Sequence, residues 1–201
     1  MKKIYFYGDS NTYGYDPRGF LGMRYPENLR WTKRVQEFFK DKYEVISGGQ
    51  NGRMLPSLPR EEGFIRSITE DLTKEDMLFI MLGTNDILLT EHPDAKRAVE
   101  KMERLLGWFK NENVPFSFAI IGPVYIADGS FEMKRYHEES RAMNEGFKAL
   151  CEKRKIPFYD AGLWGIPLGY DGVHFSEEGC IRFSEKIIDI LAKTHIQGHH
   201  E

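Results

Sequence analysis

Residues 2–14 read KKIYFYGDSNTYG. Ile4, Tyr5, Phe6 and Tyr7 are β-branched or aromatic, the composition of a strand entering a core. Small polar residues follow at once, Gly8-Asp9-Ser10-Asn11-Thr12. An ordinary turn explains such a change, and so does a reactive serine at the mouth of a sheet. The remainder of the chain decides between them.

Four more apolar runs resemble the first: YEVISGG, MLFIMLG, VPFSFAIIG and IPFYDAG. Amphipathic stretches separate them, and the spacing predicts helices over roughly Trp31–Asp41, Arg60–Leu72, Pro93–Asn111, Met133–Lys155 and Ser176–His195. In the third, Ala98, Val99, Met102, Leu105, Leu106 and Phe109 recur at helical spacing and form one apolar stripe. Continuous apolar strands alternating with helices imply a parallel sheet covered on both faces, an α/β fold. Without repeats or a long linker, residues 1–196 are expected to form one domain, with 197–201 as a tail.

The 201 residues suffice for one full core. A formal charge of −3 gives no pull toward a phosphate backbone, so nucleic acid is not an expected partner. No run reaches the apolar length of a membrane span, and the opening stretch turns polar at Gly8, too early for a signal peptide. Cys151 and Cys180 lack metal-ligand spacing and read as two free thiols or a single disulfide. A cytoplasmic location is the expectation.

In open parallel sheets ligands bind beyond the carboxyl ends of the strands. The residues there are Gly8-Asp9-Ser10-Asn11 after the first strand, Gly48-Gly49-Gln50-Asn51-Gly52-Arg53 after the second and Gly83-Thr84-Asn85-Asp86 after the third. Asp171-Gly172-Val173-His174 precedes the last helix. A serine hydroxyl needs a base to take its proton, and His174 is the candidate. Asp171, three residues earlier, is spaced to accept from the imidazole Nδ1 and leave Nε2 for Ser10. Acyl transfer also needs donors for the developing oxyanion. The Ser10 N–H, the Gly49 N–H and the Asn85 side-chain amide are available. Gly49 fits because a backbone without Cβ approaches substrate closely, with Gly48 and Gly52 as alternatives for that donor.

These blocks, GDSNTYG, the Gly-rich loop after the second strand, GTND and DGVHF, resemble those of the GDSL, or SGNH, hydrolases, in family order from residue 8 to 175. RWTKRV and EVISGGQNGR resemble the bacterial arylesterase-like branch. The resemblance implies a three-layer, flavodoxin-like sandwich with a five-stranded parallel sheet of order 2-1-3-4-5. It implies a serine esterase acting on short-chain acyl or acetyl esters through an acyl-enzyme. Ser10, Asp171 and His174 would be catalytic, and Ser10, Gly49 and Asn85 the oxyanion hole. No cofactor or metal is implied. The fourth position of the first block is Asn11 rather than leucine, a position read as doing no chemistry.

Rival readings exist. Strand one with its Gly, Ser, Asn and Thr also suits a phosphate-cradling module for a flavin or nucleotide, yet neither G-x-G-x-x-G nor G-x-x-x-x-G-K-[ST] occurs and Asp9 would repel a phosphate. A catalytically silent carbohydrate-binding relative is the third. Asp9 and Asp86 read as loop braces, and Arg53 as a surface residue or a contact for an anionic substrate. Trp164 and Tyr170 suit pocket lining or packing alike, while His137 and His195 read as solvated. A sheet edge or helix face leaves room for a homo-oligomer.

Overall fold

The computed structural model describes residues 1–19, 23–129 and 131–197. Five strands form one parallel sheet: β1 Lys2–Gly8, β2 Tyr43–Gly49, β3 Met77–Met81, β4 Ser117–Gly122 and β5 Phe158–Asp160. Their order is β2-β1-β3-β4-β5, all pairs parallel, with Gly8 opposite Gly49 on one side and Met81 on the other. The first connection leads outward from β1 and the next returns across it to β3. The switch point therefore falls between β1 and β3.

Helices α2 (Trp31–Phe38) and α7 (Glu177–Gln197) cover one face; α3 (Glu62–Thr69), α5 (Ala95–Asn111) and α6 (Phe131–Arg154) cover the other. Strand side chains alternate between the two cores. Ile4, Phe6, Phe79 and Met81 pack with Trp31, Val35 and Phe183, whereas Tyr7, Leu78 and Ile80 pack with Met102, Leu105 and Phe147. Burial on both faces is why these strands read as unbroken apolar runs.

β1 and β2 occupy the expected runs to the residue. β3 stops two residues earlier than its run because Gly83 takes a φ of 128° and turns the chain. β5 is only three residues long. The α5 stripe is buried as its spacing requires, and Asp94 caps the helix by accepting from Lys96 N at 2.9 Å. Ser176 likewise caps α7, its Oγ accepting from Gly179 N at 3.0 Å. Two short helices escaped the sequence reading: α1 (Ser10–Tyr13) and α4 (Thr84–Leu88), each directly after a strand on the functional rim.

His137, expected to be solvated, is partly buried instead: its Nδ1 donates to Ile126 O at 2.7 Å. Cys151 and Cys180 are free and buried, and burial pushes their thiols up to about 11 and about 12. Among the described residues no helix is long and apolar enough to cross a membrane. The expected tail at 197–201 lies outside the described residues from 198 onward, as does the His195 side chain.

Candidate active site

The turn out of β1 builds the first element of the rim. Asp9 sits at the N-cap of α1 and accepts from Asn11 N at 3.0 Å, and Gly14 closes the helix with a left-handed φ of 86°. Ser10 is thereby the first helical residue, 7% exposed. The leading N–H groups of a helix have no intrahelical acceptor, so the Ser10 N–H remains available to an outside oxygen. The serine loop expected from the sequence is thus a capped helical turn.

The second element is the segment from Leu168 to Ser176 ahead of α7. Leu168 and Phe175 form an antiparallel bridge, and Gly169 N donates to His174 O at 2.7 Å. The Asp171 carboxylate folds this turn by accepting from the amides of Val173 and His174, both at 3.0 Å. Its other oxygen accepts from His174 Nδ1 at 2.6 Å. Burial works to raise the Asp171 carboxyl, but the bonds it accepts from the imidazole and the two amides outweigh this and hold it below its ordinary value. With Nδ1 so committed, His174 Nε2 faces Ser10 Oγ at 3.0 Å, across 164 residues of sequence. The Tyr15 ring packs on the imidazole with centroids 4.3 Å apart.

The third element is α4. Asn85 is buried at its second position, and its Nδ2 donates to Arg53 O at 3.0 Å. A primary amide carries two hydrogens, so one is left to donate elsewhere. Asp86 beside it is tied back into the fold: it accepts from Leu55 N at 2.8 Å and pairs with Lys101 Nζ at 2.7 Å. Burial raises the Asp86 carboxyl, with Lys101 and Leu55 pulling the other way. Asp9 and Asp86 do brace their loops.

Among the three candidate glycines, Gly49 lies against the serine helix. A Cβ there would meet Tyr13 N at 2.0 Å and Thr12 C at 2.4 Å, both backbone atoms. Its smallness therefore serves the close approach of α1 to β2, a different reason from the substrate contact expected of it. Gly48 abuts the Tyr5 ring instead, and Gly52 takes a φ of 72° in open space.

Arg53 does not extend toward a substrate anion. Its guanidinium donates to the carbonyls of Gly8 (2.9 Å) and Gly48 and to Gln50 Oε1 (2.9 Å), over the rings of Tyr7 and Phe64. It staples the ends of β1 and β2 together while its carbonyl takes the Asn85 amide. Trp164 packs on Phe183, and Tyr170 is 82% exposed with its hydroxyl donating to Pro17 O at 2.7 Å. Among the described residues no group of three or more His, Cys, Asp or Glu is placed to hold a metal ion. Asn11, read from the sequence as doing no chemistry, contacts both neighbours of His174 with its side chain.

A hydroxyl, an imidazole and a carboxylate in this chain of hydrogen bonds, on the rim of a 2-1-3-4-5 sheet, form the arrangement of a serine hydrolase. The chain belongs to the GDSL-like lipase/acylhydrolase family, whose pattern matches residues 6–180. It is an esterase of GDSL type, a carboxylic ester hydrolase. Among solved structures it is similar to the aryl esterase of M. smegmatis, with 22% identity, a TM-score of 0.80, and 96% of this chain and 99% of that one covered. A carbohydrate acetylesterase from Sinorhizobium meliloti superposes with a TM-score of 0.77 at 23% identity, covering 96% and 100%. A lipolytic G-D-S-L family protein from Veillonella parvula gives 0.74 at 20% identity, covering 96% and 99%. At such identities these likenesses speak for the fold. No curated protein matches the sequence.

Proposed function

We propose that the protein hydrolyses short-chain acyl or acetyl esters through an acyl-enzyme formed on Ser10. The observation that carries this reading is the continuous relay of Ser10 Oγ, His174 and Asp171, with its 3.0 and 2.6 Å contacts. Ser10 Oγ attacks the ester carbonyl as His174 Nε2 takes its proton. Asp171 holds the imidazole in the productive tautomer and stabilises the imidazolium. The tetrahedral oxyanion is held by the Ser10 N–H, the Gly49 N–H and the free Asn85 amide hydrogen. Gly49 is preferred to Gly48 and Gly52 because it alone lies against the serine helix. His174 returns the proton to the departing alkoxide. Water, activated by the same imidazole, then releases the acid and restores Ser10.

Small esters suit a site carried on short rim segments, and the Asp171 and His174 side chains stay partly open to solvent. The S. meliloti neighbour is a carbohydrate acetylesterase, which supports an acetyl or similar acyl group. Two free buried thiols fit the reducing cytoplasm, where we place the enzyme.

The test is hydrolysis of p-nitrophenyl esters of increasing acyl length by wild type and Ser10→Ala. Loss of the nucleophile is expected to lower kcat by about 1,000-fold or more. The wild-type kcat/KM should be highest for acetate to butyrate. Equal rates for the two proteins would end the mechanism, and a rate still rising at dodecanoate would end the short-acyl assignment.

A further inference from the structure

We propose that Asn11 is the positioning residue that sets His174 at proton-transfer distance from Ser10, acting from within the nucleophile's own helix; the inference rests on the triad reading above. Asp171 cannot perform this task. It lies three residues from His174 on the same turn, so the two move as one body, and their mutual contacts do not fix where that body stands relative to Ser10.

Asn11 spans the gap. Its side chain is almost fully buried, and its Nδ2 donates to Val173 O at 3.1 Å while its Oδ1 accepts from Phe175 N at 2.9 Å. The two bonds grip the main chain on either side of His174, as a neighbouring strand would. Both ends of the clamp are anchored. Trp31 Nε1 donates to Asn11 O at 2.8 Å, and Tyr25 OH donates to Phe175 O at 3.1 Å. An amide supplies donor and acceptor together; a carboxylate supplies only acceptors, and leucine supplies neither. The asparagine in the fourth place of GDSN therefore does the joining, immediately beside the reactive hydroxyl.

Displacing a base by about 1 Å costs on the order of 100-fold in rate, and Asn11 acts on the base through main chain rather than on substrate. Asn11→Leu, and the equally sized Asn11→Asp should the first not fold, are to be compared with wild type on a short ester. Active sites are counted by phosphonate titration and the His174 Nδ1–H resonance is followed by NMR. Both variants are expected to lose at least tenfold in kcat per titrated site with KM within about twofold, and to broaden that resonance. Adding Asn11→Leu to His174→Ala should cost nothing further. An unchanged kcat per site with a sharp resonance, or an undiminished loss in the His174→Ala background, overturns the assignment. If His174→Ala itself keeps wild-type activity, the triad reading fails; the resonance then decides separately whether Asn11 holds the histidine.

Discussion

The segments that leave β1 and β3 begin alike and are held differently. Each turns from an apolar strand into a glycine, small polar residues and a short helix, with an acid beside the residue assigned to chemistry: Asp9 next to Ser10, Asp86 next to Asn85. Asp86 has a cation, Lys101, and a backbone donor, Leu55 N. Asp9 is 1% exposed, accepts from Asn11 N, and enters none of the ion pairs among the described residues. Burial, only partly offset by the Asn11 amide and the nearby His174, pushes its carboxyl up to about 6. The acid after β3 serves the fold. The one after β1 caps α1 but is buried there without a cation, beside Ser10, and so braces its turn at a cost.

The sharpest separation of chemistry from fold should come from Asn85→Ala. It removes the donor proposed for the oxyanion, for which the expected loss is about 100- to 1,000-fold in kcat. Its structural cost is one partly buried carbonyl, Arg53 O, left without that donor, about 1 kcal/mol. Steady-state kinetics beside a thermal melt measure both. A variant that lost stability in proportion to activity would make Asn85 a brace like its neighbour.

Asp86→Ala is expected to reverse that pattern. It strands Lys101 and the Leu55 amide, and since the Lys101 side chain keeps 24% of its exposure and can turn to water, the cost is put at about 3 kcal/mol rather than more. Urea unfolding should show the shift, while kcat per titrated site falls much less than in Asn85→Ala. A stability close to wild type would mean that the Lys101 pair contributes little and that the two acids are alike after all.

Some of this contrast was legible in the sequence and some was not. β1 and β2 could be bounded to the residue because each opens on lysine or tyrosine, carries β-branched or aromatic residues and closes on glycine. Ser10, Asn85, Asp171 and His174 stood out together rather than singly: each alone suits a turn or a cap, but polar blocks after successive strands followed by D-x-x-H ahead of the last helix fall in the order of one family. Strand order is a pairing between distant segments, and only the family resemblance supplied it. Helices α1 and α4 are too short to show a period of 3.6 residues. The main-chain contacts of Asn11 and Arg53 were not legible for a related reason. Their partners are backbone carbonyls and amides, which every residue carries, so a side chain that grips main chain 162 residues away leaves no mark on its partner's sequence.

The smallest expected effect tests the β1 acid directly. A carboxyl at about 6 in the folded protein and 3.8 unfolded keeps its proton longer when folded. Between those values the native state binds more protons, so wild-type stability falls as pH rises from about 4 to about 6 and stays lower above that. The difference corresponds to about 3 kcal/mol. Asp9→Asn removes the ionisation while keeping an oxygen for the Asn11 amide. The buried Thr84 hydroxyl beside it, otherwise unpartnered, can accept from the new amide hydrogen. The variant should melt close to wild type at pH 4 and above it at pH 7 and 8, by about 2 kcal/mol once the altered packing is discounted. It should also turn over more slowly, since a negative charge near the imidazolium is gone. Calorimetry from pH 4 to 8 with parallel kinetics checks both, and a gap that does not widen with pH would show that the Asp9 carboxyl titrates as an ordinary one.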